Sequence, residues 1–196
     1  MNTKAMFAYG ISQIKDKRYS ELAILLMDKV PDYFWTIPAS STGKYHPQCD
    51  LGDGGLVRHS LMVAAVADEL VTAEIFVEDT EMYHSMARFA SLFHDALKNG
   101  PFDLRSEHTV HEHPHYAYEF VKENLLYADD EQKEKYAELD QMILSAIKSH
   151  MGKWNTSRYS DMVLPVPESQ FEKLIHTADF IASRKFIGGL DIFREG

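Results

Sequence analysis

The chain has 196 residues, 45% of them hydrophobic, and carries 30 acidic against 20 basic side chains, for a formal net charge of −10. That length and apolar content fit one domain with a substantial core, and the charge excludes a whole-molecule field that draws in long polyanions, so any nucleic-acid contact has to be local. The apolar runs fall short of a bilayer span, "MNTKAMFAYG" lacks the features of a signal peptide, and the lone Cys49 has no internal disulfide partner; a soluble, cytoplasmic protein is expected.

In chain order, residues 3–29 read as one or two helices, because Ile11 and Ile14, then Leu22, Leu25, Leu26 and Val30, recur at helical spacing that stops at Pro31. From Pro31 to Gly55 the segment containing "IPASSTGKYHPQCDLGDGG" is dense in Pro, Ser, Gly and Asp and reads as an ordered loop. A loop of that length is usually functional or disordered, and its tie to the residues that follow favours function. Helical patterns then run at roughly 55–76, 80–98, 114–127, 131–151 and 168–187, broken at "KNGPFD", "YADDEQ" and "NTSRYSDMVLPVP". With no alternating strand pattern and no internal repeat, the expected fold is all-α and single-domain. Residues 1–30 would supply N-terminal helices, 31–55 the loop and 56–196 the helical core. The mixed-charge run "ADDEQKEKYAELD" is a solvated helix face.

Ten histidines carry the chemical information. His59 falls in the apolar series of Leu56, Val63, Val66 and Leu70. His94 and Asp95 stand among Ala87, Ala90, Leu92, Phe93 and Leu97, with Lys98 three and four positions on and so on the same helical face. His150 continues the stripe of Leu139, Ile143 and Ile147, and Asp179 lies among Ile175, Ala178 and Ala182. Pro114 suits a first helical position, which leaves His113 as the N-cap pointing back toward earlier elements. Any one such histidine is ordinarily a core residue with a hydrogen-bond partner, and His113 is also readable as a simple cap. Taken together, four inward imidazoles and two inward carboxylates on separate helices are hard to satisfy without cations, since an isolated buried carboxylate costs several kcal/mol. The donor set suits Mn²⁺, Fe²⁺, Co²⁺, Ni²⁺ or Zn²⁺ better than Mg²⁺ alone, with Mg²⁺ admissible in one site, and it suffices for two ions bridged by Asp95.

The order His59, His94-Asp95, His113, His150, Asp179 resembles that of the HD-domain metal-dependent phosphohydrolase superfamily, from about Pro38 to the end of the chain. In that family the first His, the His-Asp pair and the final Asp bind one metal, and the two intervening His residues occur in the two-metal branches. "HDALK" is similar to the family's HDxxK, which makes Lys98 a phosphate-contacting or charge-stabilising residue. "PASSTGKYHPQCDLGDGGLVRHS", "IKSHMGKWN" and "IHTADFIASRK" resemble the 3′-to-5′ exoribonuclease branch.

The resemblance implies phosphoester hydrolysis by a metal-activated water, with Asp95 and Lys98 as the catalytic residues. The acidic surface, and the lack of room for an RNA-binding OB fold, favour a nucleotide or short oligonucleotide over a long nucleic acid. Lys44 and His46 on the loop, and Lys153, Trp154 and Arg158 after His150, are candidate substrate contacts, Trp154 as a stacking platform and Arg158 for a phosphate. The bland alternative is a packed Trp154 with solvated cations. His111 or His115 is a candidate proton relay, although both, like His108, read equally well as exposed turn residues; Arg58, Arg184 and Lys185 also lie near ligands in sequence. Two other functions fit the pattern: a cyclic nucleotide or cyclic oligonucleotide phosphodiesterase, and a non-catalytic metal-dependent nucleotide sensor. The sensor predicts a lost ligand or a lost catalytic lysine.

Overall fold

Helix starts follow short polar caps. The computed structural model describes residues 2–40, 43–44 and 46–185. Within them α1 (Thr3–Ser12), α2 (Lys17–Met27), α4 (Glu81–Phe93), α6 (Asp130–Ser149) and α7 (Gln170–Ala182) are opened by the side chains of Asn2, Asp16, Thr80, Asp129 and Ser169, each accepting a backbone N–H from the first turn. Ser169 and Glu172 form a full capping box. The other two helices lack a side-chain cap: α3 (Gly55–Thr72) begins after Gly54, and α5 (His113–Lys122) carries Pro114 in its first turn. The N-cap of α5 is Glu112, so His113 is the first helical residue and not the cap expected from the sequence.

The all-α expectation holds, with no strand among the described residues. The N-terminal pattern is two helices. The 80–98 pattern divides: α4 stops at Phe93, and the chain continues in successive tight turns through bonds from Ala96 N to Phe93 O (3.1 Å), Lys98 N to Asp95 O (3.1 Å) and Gly100 N to Leu97 O (2.9 Å). Residues 186 and 187 of the expected last helix, and the remainder of the core to 196, lie outside the described residues.

The central element is α3, in contact with α1, α4 and α7, while α6 packs against α4, α5 and α7. Fully buried Phe7 meets Phe34, Trp35 and Phe93 edge-on at centroid distances of 5.3, 5.6 and 5.6 Å, which anchors the end of α4 just before His94. The long loop wraps back over α3. Short 3₁₀ turns at Asp32–Trp35 and Gln48–Asp50 are tied down by Ala39 N to Asp50 O (3.0 Å), Gly54 N to Thr36 O (2.9 Å) and Leu56 N to Ile37 O (3.0 Å). A Cβ on Gly55 would lie 2.0 Å from the Asp50 carbonyl oxygen, so this close approach needs glycine.

Two polar clamps hold the helices. Arg18 donates to both Asp140 oxygens at 2.8 Å, and the hydroxyls of Tyr19 and Tyr127 donate to the same carboxylate at 3.1 and 2.8 Å, joining α2 to α6 with every carboxylate oxygen satisfied. At the α3–α4 junction, His84 Nδ1 lies 2.5 Å from Asp68 Oδ1 and His84 Nε2 lies 2.8 Å from Asp79 Oδ1, while Arg88 donates to Asp68 Oδ2 at 2.6 Å.

A neutral imidazole donates one proton; only the imidazolium satisfies both carboxylates. Burial lowers the His84 pKa, but bonds to Asp68 and Asp79 outweigh it and the net shift is upward. A raised folded-state pKa contributes stability that is complete below the unfolded value, about 6.5, and is lost as pH climbs through the folded value. Between pH 6 and pH 9 the wild-type protein should therefore lose more unfolding free energy than His84→Gln, as read by urea denaturation at each pH. Parallel pH profiles would refute the clamp.

Candidate metal centre

Four of the five segments that build the site end or begin where it lies. His94 is the C-cap of α4 and His150 the C-cap of α6, His113 opens α5, Asp95 follows His94, and Asp179 sits in the last turn of α7; only His59 comes from inside a helix, on α3. His59, His94, Asp95, His113 and His150 are buried to 2% exposure or less, and the Asp179 side chain is 21% exposed.

Their polar atoms converge. His59 Nε2 lies 3.1 Å from Asp179 Oδ1 and 3.9 Å from Asp95 Oδ2; His94 Nε2 lies 3.3 Å from Asp95 Oδ2 and 3.8 Å from Asp179 Oδ1. On the other side of Asp95, Oδ1 is 3.0 Å from His113 Nε2 and 3.7 Å from His150 Nε2, and those two ring nitrogens are 3.3 Å apart. Lys98 Nζ contacts Asp95 Oδ2 directly.

The backbone fixes the tautomers. His94, His113 and His150 each donate Nδ1–H to the carbonyl three residues earlier, Ser91 O at 2.7 Å, Val110 O at 2.6 Å and Ile147 O at 2.7 Å. With the proton at Nδ1, each neutral ring turns an Nε2 lone pair toward the carboxylates. Lone pairs facing lone pairs repel, and His94 Nε2 and Asp95 Oδ1 are buried with no hydrogen-bond partner. A divalent cation resolves that clash, as a proton does for one pair at a time, so the donor set fits a metal. His59, His94 and Asp179, and separately His94, Asp95 and His150, have ligand atoms within 4.8 Å of one another.

Electrostatics follow the same geometry. Burial opposes an ionised Asp95, but the Lys98 ammonium holds its carboxyl well below the usual carboxylate range. Burial also opposes charge on His59, yet the bond to Asp179 and nearby Asp50 raise it to about 9. Burial and the adjacent His94 ring push His150 down to about 3.

A cavity of about 450 Å³ opens onto the centre. Asp95, Lys98, His113, His150 and Asp179 line its base, Ala39, Ser40 and His46 one wall, and Trp154, His176, Phe180 and Arg184 its mouth. Trp154 and Phe180 stack at 5.8 Å and 17°, with the Arg184 guanidinium 4.2 Å over the Phe180 ring. The His46 ring meets that of His59 at 5.1 Å, and burial lowers its pKa to about 4. A larger groove, about 730 Å³ between α1 and α3, is lined by residues such as Met6, Tyr9, Leu61 and Ala64 and touches none of the six converging residues.

The other sequence candidates lie elsewhere. Lys44, Lys153 and Arg158 are exposed and outside the cavity lining, Lys153 lying over the Trp154 ring and Arg158 over Tyr159. His111 Nε2 donates to Met162 O at 3.2 Å, His115 stacks on Tyr118, and His108 is exposed. Arg58 donates to the loop carbonyls of Cys49 and Leu51, and Lys185 is exposed. Sequence reading missed Asp50, His176 and Phe180. His176 could have been found one turn before Asp179 on α7; Asp50, in a loop, has no periodicity to mark it.

Among the described residues, no helix is long and apolar enough to cross a membrane. In comparison with known proteins, a family model described as HD domain matches residues 56–183. No curated protein and no solved structure gave a significant match.

Proposed function

Since the chain belongs to the HD-domain family, whose members are generally metal-dependent hydrolases, we propose that it is a phosphohydrolase cleaving a phosphoester of a nucleotide or short nucleic-acid end. The observation that carries the proposal is the convergence of four imidazoles and two carboxylates, with His94 Nε2 and Asp95 Oδ1 left without a hydrogen-bond partner, at the base of a cavity that also holds a lysine and an aromatic mouth. Divalent metal bound by His59, His94, Asp95, His113, His150 and Asp179 supplies a Lewis acid for a phosphoryl oxygen and acidifies water. Two ions are favoured because the oxygens of Asp95 face different ligand groups, Oδ2 toward His94 and His59, Oδ1 toward His113 and His150.

The protein's own residues do the rest. Lys98, buried and reaching the cavity base, places an ammonium where charge develops on the phosphoryl oxygens. Arg184 offers a second cation at the mouth, and His46 with Ser40 walls the near side against water. Trp154, backed by Phe180, presents a planar ring on which a base stacks in exchange for the exposed Lys153 ammonium that lies 4.9 Å over it. Resemblance to the exoribonuclease branch supports a nucleotidyl substrate, and a cavity of about 450 Å³ suits one nucleotide unit better than a length of chain. Substrate contacts are accordingly assigned to Lys98, His46, Trp154 and Arg184, and not to Lys44, Lys153 or Arg158.

The test is incubation with Mn²⁺ and a panel of deoxynucleotides, cyclic nucleotides and short RNAs. Release of phosphate or a nucleoside monophosphate from an uncyclised substrate is expected. Turnover of cyclic substrates alone would establish a cyclic phosphodiesterase instead, and metal binding without turnover a sensor. Stacking on an aromatic side chain contributes about 1–3 kcal/mol per base, so Trp154→Ala should raise KM about tenfold with a smaller change in kcat. An unchanged KM for the best substrate of the panel would remove Trp154 from the site.

A further inference from the structure

Three of the four converging histidines take their tautomer from a backbone carbonyl, and His59 is the exception. Ser91 O and Ile147 O lie among the last four carbonyls of α4 and α6, which helix geometry leaves free, and Val110 O lies in the turn before α5. His59 is the fifth residue of α3, where the carbonyl three residues back belongs to the helical hydrogen-bond ladder. Its Nδ1 has no such acceptor.

What faces it is Asp50, from the loop. Asp50 Oδ2 lies 3.6 Å from His59 Nδ1, beyond hydrogen-bond length, and both atoms are buried without a hydrogen-bond partner. Asp50 is 1% exposed. Its backbone is held by Asp50 N to Pro47 O and Ala39 N to Asp50 O, each 3.0 Å, and by the tight contact with Gly55; its other oxygen, Oδ1, accepts from Cys49 Sγ at 3.5 Å. A carboxylate buried with one oxygen aimed at one ring nitrogen is costly unless that nitrogen bears a proton. On the far side of the ring, Nε2 faces Asp179 and Asp95.

We propose that Asp50 is the positioning residue that accepts the Nδ1 proton of His59 and so presents the Nε2 lone pair to the metal. The inference rests on the reading of His59 as a metal ligand. Asp50 does for His59 what backbone carbonyls do for the other three rings. Because the Asp50 carbonyl also holds Ala39, a residue of the cavity wall, the same loop residue sets a ligand's orientation and the wall facing substrate.

Two measurements test it. In the Zn²⁺-loaded wild-type protein, long-range proton–nitrogen NMR should report His59 protonated at Nδ1 and metal-bound at Nε2. A His59 bound through Nδ1, or carrying its proton on Nε2, overturns the proposal, whatever any variant does. In Asp50→Leu, which has no acceptor, calorimetric titration of Zn²⁺ should show affinity about 10–100-fold weaker, because nothing then holds the proton on Nδ1 and frees Nε2 for the metal. Asp50→Glu, which restores an acceptor, should recover part of the loss; a merely structural contribution of Asp50 would not be recovered by the larger side chain. Wild-type protein that takes up no metal overturns the reading of the centre and this inference with it. Zn²⁺ uptake by the wild type with equal affinity in Asp50→Leu overturns this inference alone.

Discussion

Asp95→Ala should lose its bound metal and fall to background turnover. Asp95 is the one carboxylate of the group whose oxygens reach toward all four histidines, from 3.0 Å at His113 to 3.9 Å at His59; Asp179 Oδ1 has close contacts with His59 and His94 only. Its removal takes away the negative charge that makes the cluster of four imidazoles a cation site, and strands the Lys98 ammonium in a buried position where an unpaired charge is costly. The check is elemental analysis after loading with Mn²⁺ and dialysis, beside the turnover assay. Full metal content in Asp95→Ala would mean that the ligand set has been drawn wrongly. Asp179→Ala offers a graded comparison: it removes one side of the centre, and metal content should fall by a part and not entirely.

Lys98→Ala should keep its metal and lose rate, by about 10²–10³-fold in kcat, the range found when a single preorganised charge or donor at a developing oxyanion is removed. Lys98 sits three residues after Asp95 in the turn beyond α4, 8% exposed, and reaches both the Asp95 carboxylate and the cavity. Two roles are thereby open to it, contact with the phosphoryl group or neutralisation of Asp95. The measurement separates them, because a lysine acting on substrate leaves metal content at the wild-type level, whereas one acting through Asp95 changes metal affinity and rate together. Equal losses in both would sink the substrate-contact assignment.

The sequence made the helices and the inward polar residues legible by the same signal. His59, His94, His150 and Asp179 interrupt apolar stripes, and a stripe is a statement about direction, so residues distant in sequence are referred to one interior by pattern alone. Where the signal failed, the cause is specific. Leu92, Phe93, Ala96 and Leu97 are all buried, so periodicity runs on past the point where α4 gives way to tight turns. The sequence places His113 one position off because Pro114 is acceptable at the first or second helical position. The clamp between Arg18 and Asp140, 122 residues apart, is a tertiary pairing between two helices with no local trace. Asp50 and the Trp154–Phe180 stack are hidden for a related reason: Asp50 and Trp154 each lie in a three-residue 3₁₀ turn, too short to carry a repeat from which a facing direction can be read.

The stopping points of α4 and α6 have a consequence for which changes this chain tolerates. Both helices halt on a histidine whose ring is steered by a carbonyl that the helix no longer uses. Each residue added within an α-helix turns everything after it by about 100°. A single insertion or deletion between Glu81 and Phe93, or within Asp130–Ser149, would swing His94 or His150 off the centre while leaving the helix itself well formed. Phase along these two helices is thus as much a part of the site as the imidazoles, and length variation compatible with function is confined to the connections that precede them.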